Sequence, residues 1–261
     1  MALRASLTSG LREHLVKARL AGVVQTTPGH VAGNCEKLVS GDPNYTFGLS
    51  DWLSADVAEV RAVVAELCGD AAVEGDPDGP GWIDPDATMA AIDAQRAELN
   101  AHARARSSVL LATGHPTGLL PHYMALGRAL RHAGCELLVA LDDSWITEGE
   151  DRRGIRFFDG VACARTGGNM VHTHRSRFME AMLDALEEQG RRPGLVLGDH
   201  GMAGAAIERG IETLGIADVN DPALFLAQSR GRAEAVMPID DNLPPALFEP
   251  VTAALVDGIG R

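Results

Sequence analysis

The hydrophobic pattern changes rhythm near residue 106. Before it, apolar positions recur at helical spacing. Leu3, Leu7, Leu11 and Leu15 fall every four residues, and similar periods predict helices over Leu3–Leu20, Trp52–Leu67 and Asp86–Ala105. Segments rich in Gly, Pro and Asp, notably Gly69–Pro85, separate them and read as surface loops. From Ser107 onward, short apolar runs alternate with helical patterns. The runs predict strands at Val109–Ala112, Glu136–Leu141, Gly160–Ala164, Gly194–Gly198, Gly215–Val219 and Ala235–Pro238. The intervening helices are Leu119–Ala133, Arg175–Gln189, Ala203–Leu214, Pro222–Ser229 and Pro245–Ile259. Near-continuous apolar strands are those covered by helices on both faces. The expected fold is therefore α/β, with a doubly wound, mostly parallel, Rossmann-like sheet and a helical N-terminal region. The division implied is a helical region or cap at 1–106 and a Rossmann-like α/β region at 107–261, the two able to form one compact domain.

The stretch Val109–Leu120, VLLATGHPTGLL, marks where chemistry would sit. An apolar run stops at Thr113-Gly114-His115-Pro116 and becomes helical after Gly118. A buried strand feeding a helix in this way presents unpaired N–H groups and a positive dipole end to an anion. Thr113, Gly114, Thr117 and Gly118 are the expected phosphate-binding residues. In open α/β sheets ligands bind beyond the carboxyl ends of the strands, and polar residues collect at those ends. They are Asp142-Asp143-Ser144, His172-Thr173-His174 before a helix, Gly198-Asp199-His200-Gly201, Asn220-Asp221-Pro222 and Asp240-Asp241-Asn242. Asp199, Asn220 and Asp240 could each be a helix cap, but several carboxylates and histidines on one edge exceed what capping needs.

Such a crevice suits phosphoryl transfer to water. Asp199, Asn220, Asp221 and Asp240 are the expected ligands of a divalent cation, Mg²⁺ or Mn²⁺, since hard cations take oxygen donors. The cation would neutralise developing charge and activate water. His115, His172, His174 and His200 are candidates to protonate the leaving oxygen, with Asp199 as a further catalytic group. The polar segment Thr26–Gly48 reads as a connection able to fold over the crevice, bringing Asn34 and Lys37 to the substrate, with His30 and Tyr45 nearby.

Composition narrows the options. The 261 residues carry a formal charge of −13 and 46% hydrophobic residues, so the chain is globular and ill-suited to nucleic acid or an acidic membrane surface. A small anion remains compatible, because local fields outweigh the global one. Four scattered cysteines, Cys35, Cys68, Cys135 and Cys163, form no CxxC pair and fit a reducing compartment. The N-terminus is too charged for a signal peptide and no run reaches a membrane span, so a cytoplasmic location is expected. The partner is then a small-molecule phosphate, with a homo-oligomer possible. GxxxxGK[ST], GxGxxG and GxSxG are all absent. Asp84-Pro-Asp86-Ala-Thr88 matches a DxDxT phosphatase nucleophile, but follows Gly-Pro-Gly-Trp rather than an apolar strand and reads as a helix start.

Ala112–Leu120 (ATGHPTGLL), His172–His174 (HTH), Gly198–Gly201 (GDHG), Ala217–Leu226 (ADVNDPALFL) and Pro238–Asn242 (PIDDN) resemble a family of actinobacterial phosphatases. Asn34 and Glu36–Leu49 extend the likeness toward the N-terminus. The resemblance implies a phosphatase and assigns no residue roles. The expectation is a phosphomonoester hydrolase of small organic phosphates, probed by phosphate release. The alternatives are a cyclase, lyase or isomerase that holds a phosphate or carboxylate without cleaving it, and a non-catalytic sugar-phosphate or nucleotide binder.

Overall fold

The computed structural model describes residues 2–148 and 151–259. The N-terminal part runs α1 (Ala2–Lys17), β1 (Gly22–Val24), α2 (Pro28–Val39), α3 (Val57–Cys68), β2 (Gly81–Ile83) and α4 (Pro85–Ala105). Each of the last three helices starts on a side-chain cap. Thr27 accepts from the His30 N–H, Asp56 from Glu59 and Asp84 from Asp86, with Pro28 and Pro85 fixing φ in the first turn. Asp84 is thus a cap, and Asp86 pairs with Arg12 in solvent, so the DxDxT match carries no nucleophile. Two differences from the sequence pattern appear here. Part of Thr26–Gly48 is the helix α2, and β1 and β2 form a small antiparallel sheet across a long separation. Leu11 is half-buried and Leu15 fully buried, while the side chains of Leu3 and Leu7 lie outside the described residues.

The remainder is mixed α/β. Its elements are β3 (Ser108–Thr113), α5 (Pro116–His132), β4 (Glu136–Leu137), β5 (Trp145–Glu148), β6 (Asp151–Phe158), β7 (Val161–Thr166), β8 (Asn169–Met170), α6 (Arg177–Glu188), β9 (Leu195–Asp199), α7 (His200–Glu208), β10 (Thr213–Ala217), α8 (Pro222–Ser229), β11 (Ala235–Pro238) and α9 (Glu249–Val256). Among the described residues the large sheet has the order β11-β10-β9-β3-β7-β6-β5, parallel from β11 to β7 and antiparallel beyond. β4 pairs with the start of β3, at Ser108 and Val109, and β7 with its end, at Leu111–Thr113. The strand expected over Glu136–Leu141 therefore stops at Leu137, because β7 takes over that edge, and Leu141 and Asp143 turn through the left-handed region. The β5–β6 hairpin is absent from the predicted elements. α7 begins at His200 and ends at Glu208, not at Ala203 and Leu214.

Alternate residues of β3 enter different clusters. Val109 and Leu111 join Leu119, Tyr123, Leu126 and Leu130 of α5 and most of the N-terminal core. Leu110 and Ala112 join Phe178, Met179, Met182 and Leu186 of α6 and Met202, Ala205 and Ala206 of α7. This is the period-two alternation of a strand with both faces covered. Gln95 of α4 is buried in the first cluster, its amide donating to the carbonyls of Gly215 and Ala235 at 2.8 Å each. No described helix is long and apolar enough to cross a membrane.

Candidate active site

The site grows from the turns that follow β3, β9, β10 and β11. At the end of β3, Gly114 is packed so closely that a Cβ there would collide with the Thr173 carbonyl and come within 3.1 Å of Asp199 Oδ1. Its N–H donates to that oxygen at 2.7 Å. The Thr113 hydroxyl accepts from the His115 N–H at 2.9 Å. Gly118 backs onto the main chain, where a Cβ would lie 2.5 Å from the Asp241 carbonyl oxygen, and Thr117 is exposed. The turn leading into α5 thus holds an anion, but it is the protein's own Asp199. Thr113, Gly114 and Gly118 build the turn rather than line an open phosphate cradle, and Thr117 lies outside it.

Asp199 occupies the N-cap position of α7 and caps nothing. Its Oδ1 also faces His200 Nδ1 at 2.8 Å, while Oδ2 is buried without a partner. His200 sits at φ 45°, a left-handed conformation unusual for a residue with a Cβ. That twist turns its other nitrogen inward: Nε2 lies 3.4 Å from Asp221 Oδ2 and 3.6 Å from Asp241 Oδ2. Burial alone would lower the His200 pKa, but Asp221, the Asp199 hydrogen bond and Asp241 outweigh it and lift the value to about 10. Burial raises Asp221 to about 7 against the attraction of His200. Asp241 is buried too, yet His115 and His200 hold its carboxyl below the ordinary value. His115 Nδ1 stands 3.3 Å from Asp241 Oδ1.

Two more rings complete the cluster. His172 stacks on His115 with centroids 4.4 Å apart, and His174 on His200 at 4.5 Å. His174 Nδ1 donates to the Asn44 carbonyl at 2.9 Å, so its Nε2 is the acceptor facing His172 Nε2 at 3.1 Å. Desolvation among the packed rings and the charge of His200 push both His172 and His174 down to about 4, so both are neutral near pH 7. Phe47 packs edge-on against His174 and His200, with centroids at 5.4 Å in each case. Ligating atoms gather in two triads, His200–Asp221–Asp241 and His115–His172–His200, each with all atoms within 4.8 Å of one another. Above His172 and His174 opens a cleft of about 630 Å³ whose walls include Lys37, Tyr45, Arg153 and Arg175. Lys37 Nζ donates to the Tyr45 hydroxyl at 2.9 Å.

The structure therefore brings together His115, His172, His174, Asp199, His200 and Asp221. The main chain of Asn220 and the side chain of Asp240 make contacts of their own. The Asn220 carbonyl accepts from Asn34 Nδ2 at 2.8 Å, and Asp240 Oδ1 caps its own turn by accepting from the Asn242 N–H at 3.0 Å. Asn34 thus fastens α2 to the turn after β10, while Lys37 reaches the cleft. Asp241 is the residue that sequence reasoning passed over. In a tandem Asp pair one carboxylate closes the turn and the next is left to point inward, and only the backbone shows which. Asp218 was also missed. It is buried, accepts from Thr26 Oγ1 at 2.6 Å, and burial with Asp241 and Asp240 keeps its pKa well above normal.

The fold is mixed α/β, and its histidines and carboxylates converge at the carboxyl ends of parallel strands, where such sheets bind ligands. The chain belongs to the Phosphatase family, whose model matches residues 6–261. It is 39% identical over 258 residues to Phosphatase SCO2771 of Streptomyces coelicolor, a match covering 96% of this chain and 95% of that protein.

Proposed function

We propose that the protein is a metal-assisted phosphomonoesterase acting on small, polar organic phosphates. The observation that carries this reading is the convergence of His200, Asp221 and Asp241 behind His174, which stacks on His200 and lines a cleft with Lys37, Arg153 and Arg175, in a chain of the Phosphatase family. A divalent ion fits the donor set. Asp241 Oδ2 and His115 Nδ1 are buried without hydrogen-bond partners, and an ion would satisfy what burial leaves unbonded. Mixed imidazole and carboxylate donors favour manganese, iron or zinc over magnesium. When bound, the ion supplies charge neutralisation at the phosphoryl oxygens and a lowered pKa for water.

The chain's own groups account for the rest. Lys37, Arg153 and Arg175 gather the phosphate from solvent against a net charge of −13. His174, neutral and fixed by Asn44, holds its Nε2 acceptor toward His172 in the resting site and offers it to the attacking water once His172 turns away. The water oxygen attacks phosphorus, the P–O ester bond breaks, and the proton taken by His174 passes to the leaving oxygen. The products are an alcohol and inorganic phosphate. Asp42, Asn44 and the Tyr45 hydroxyl make the rest of the cleft lining polar, which suits the hydroxyl and amino groups of sugar or amino-alcohol phosphates. The strand sequence β4-β3-β9-β10-β11 supports a doubly wound, Rossmann-like order whose reversal falls between β3 and β9. Asp199 sits at that reversal.

The test is phosphate release from a panel of sugar, nucleotide and amino-alcohol phosphates, with and without Mn²⁺ or Mg²⁺. Release from polar monoesters, stimulated by Mn²⁺ and cut by about 100-fold or more in Asp221→Asn, is the expected result. Full turnover in Asp221→Asn, or no release from any monoester, would discard the proposal.

A further inference from the structure

The centre has more ligands than one ion needs, and they are divided in two. Donor atoms around a single ion lie at most about 4.2 Å apart, twice a metal–ligand bond of about 2.1 Å. Here the compact groups are two triads that meet at His200. Asp241 lies between them. Its Oδ1 faces His115 and its Oδ2 faces His200, and Oδ2 is buried and unpartnered. A carboxylate that turns one oxygen to each of two donor groups has the geometry of a bridging ligand. His115 Nδ1 is likewise buried without a hydrogen-bond partner. Charge argues the same way. Asp199, Asp218, Asp221, Asp240 and Asp241 are all buried around this spot, and carboxyl groups gathered in a low-dielectric interior are satisfied by cations set among them.

We propose that the centre holds a pair of divalent transition ions bridged by Asp241. One ion sits on His200, Asp221 and Asp241 Oδ2, and the other on His115, His172 and Asp241 Oδ1. This rests on the metal-dependent reading of the site and specifies its cofactor. A two-ion clamp of spacing about 3.5–4 Å suits phosphoester hydrolysis, because it stabilises both the attacking and the leaving oxygen. The imidazole-rich half selects a transition ion, and the exposed edge of His172 places that half beside the cleft.

The experiment uses the full chain, stripped with a chelator and titrated with Mn²⁺. Bound metal is counted by calorimetry and by elemental analysis, and the electronic state is read by electron paramagnetic resonance. Two Mn²⁺ per chain with an exchange-coupled signal are expected. His172→Gln, at an exposed position that the core does not need, should bind one Mn²⁺ with an uncoupled six-line signal. Asp241→Asn should lose the coupled signal as well. One Mn²⁺ per chain at saturation, no Mn²⁺ at all, or a coupled pair that survives in His172→Gln would overturn the pair. Phosphate release on the same samples separates the two readings. Release with a single ion discards the pair and keeps the phosphatase, whereas a coupled pair with no release from any monoester keeps the pair and discards hydrolysis.

Discussion

Asp199 is the residue through which the turn after β3 and the turn after β9 are joined. One oxygen accepts both the Gly114 N–H and His200 Nδ1, so the carboxylate orients the imidazole rather than reacting itself. Groups that orient a metal ligand typically contribute 10–100-fold. Asp199→Asn should therefore lower kcat by about 10–100-fold with KM nearly unchanged, because Lys37 and the arginines of the cleft are untouched. A variant that raised KM alone would place Asp199 in substrate binding instead. His200→Gln removes the cation from between Asp199, Asp221 and Asp241. Breaking a buried charge pair costs about 3–5 kcal/mol, so urea unfolding of the metal-free variant should show a loss of that size. At this scale the sequence was legible wherever a residue's neighbours are local. His115, His172, His174 and His200 stand out as polar residues at strand ends, and all four converge. It was not legible where two adjacent residues differ only in direction, as with Asp240 and Asp241. Nor does composition show that the N–H of Gly114 is occupied by a carboxylate from a strand 85 residues away.

Helix α7 is the element on which the site's rigidity depends. Gly204 lies against Phe47, where a Cβ would strike the Phe47 carbonyl and approach its Cβ to 2.8 Å. Phe47 in turn buttresses His174 and His200. Gly204→Ala should cost about 1–3 kcal/mol by overpacking and should also depress turnover, which urea titration and steady-state kinetics would each read. The end of α7 is held by ion pairs. Arg232 Nη2 meets Glu208 at 2.6 Å and its Nη1 meets the buried Asp51 at 2.6 Å. Burial raises the Glu208 pKa, but hydrogen bonds from Arg232 and Ser50 outweigh it and set it below the ordinary value. A depressed carboxylate contributes stability above its unfolded pKa of about 4.3 and loses it as pH falls through the folded value. Arg232→Ala should therefore destabilise the protein at pH 7 and flatten the fall in stability below about pH 4.3, seen by comparing urea midpoints across pH. Elements with uninterrupted patterns, such as β3, β9, β10, β11 and α5, could be read directly because both faces of the sheet demand apolar residues. The β5–β6 hairpin could not. Its described residues between Asp142 and Phe158 are half-exposed or exposed for the most part, so no apolar period marks it. The β1–β2 pair is three residues on each strand and 57 residues apart at Val24 and Gly81, which no local window can detect.

The whole molecule is organised by one hydrophobic cluster that runs across residue 106. Leu15, Val31, Val60, Ile92 and Leu99 belong to the same cluster as Val109, Leu111, Ile216 and Val236. Polar contacts repeat the pattern: Gln95 bonds β10 and β11, the Thr88 hydroxyl donates to the Pro238 carbonyl at 2.7 Å, and Arg230 reaches Asp51 and Glu59. A separately stable α/β region would need its own cover over β10 and β11, where Gln95 of α4 binds. In the intact chain part of that cover comes from α4 and the segments before it. Each fully buried Val or Leu contributes about 1.5–3 kcal/mol, while a whole domain is stable by only about 5–15 kcal/mol. Exposing a handful of such side chains is therefore enough to unfold the remainder. A chain cut to residues 107–261 is expected to lack cooperative unfolding, to show little dispersion in its amide NMR spectrum, and to release no phosphate. It would also lose Lys37 from the cleft, Phe47 from behind His174, and the Asn44 carbonyl that sets the tautomer of that histidine. The N-terminal segment is thus part of the site as much as of the core. A truncated chain that folded and still hydrolysed monoesters would show instead that residues 1–106 are a removable cap.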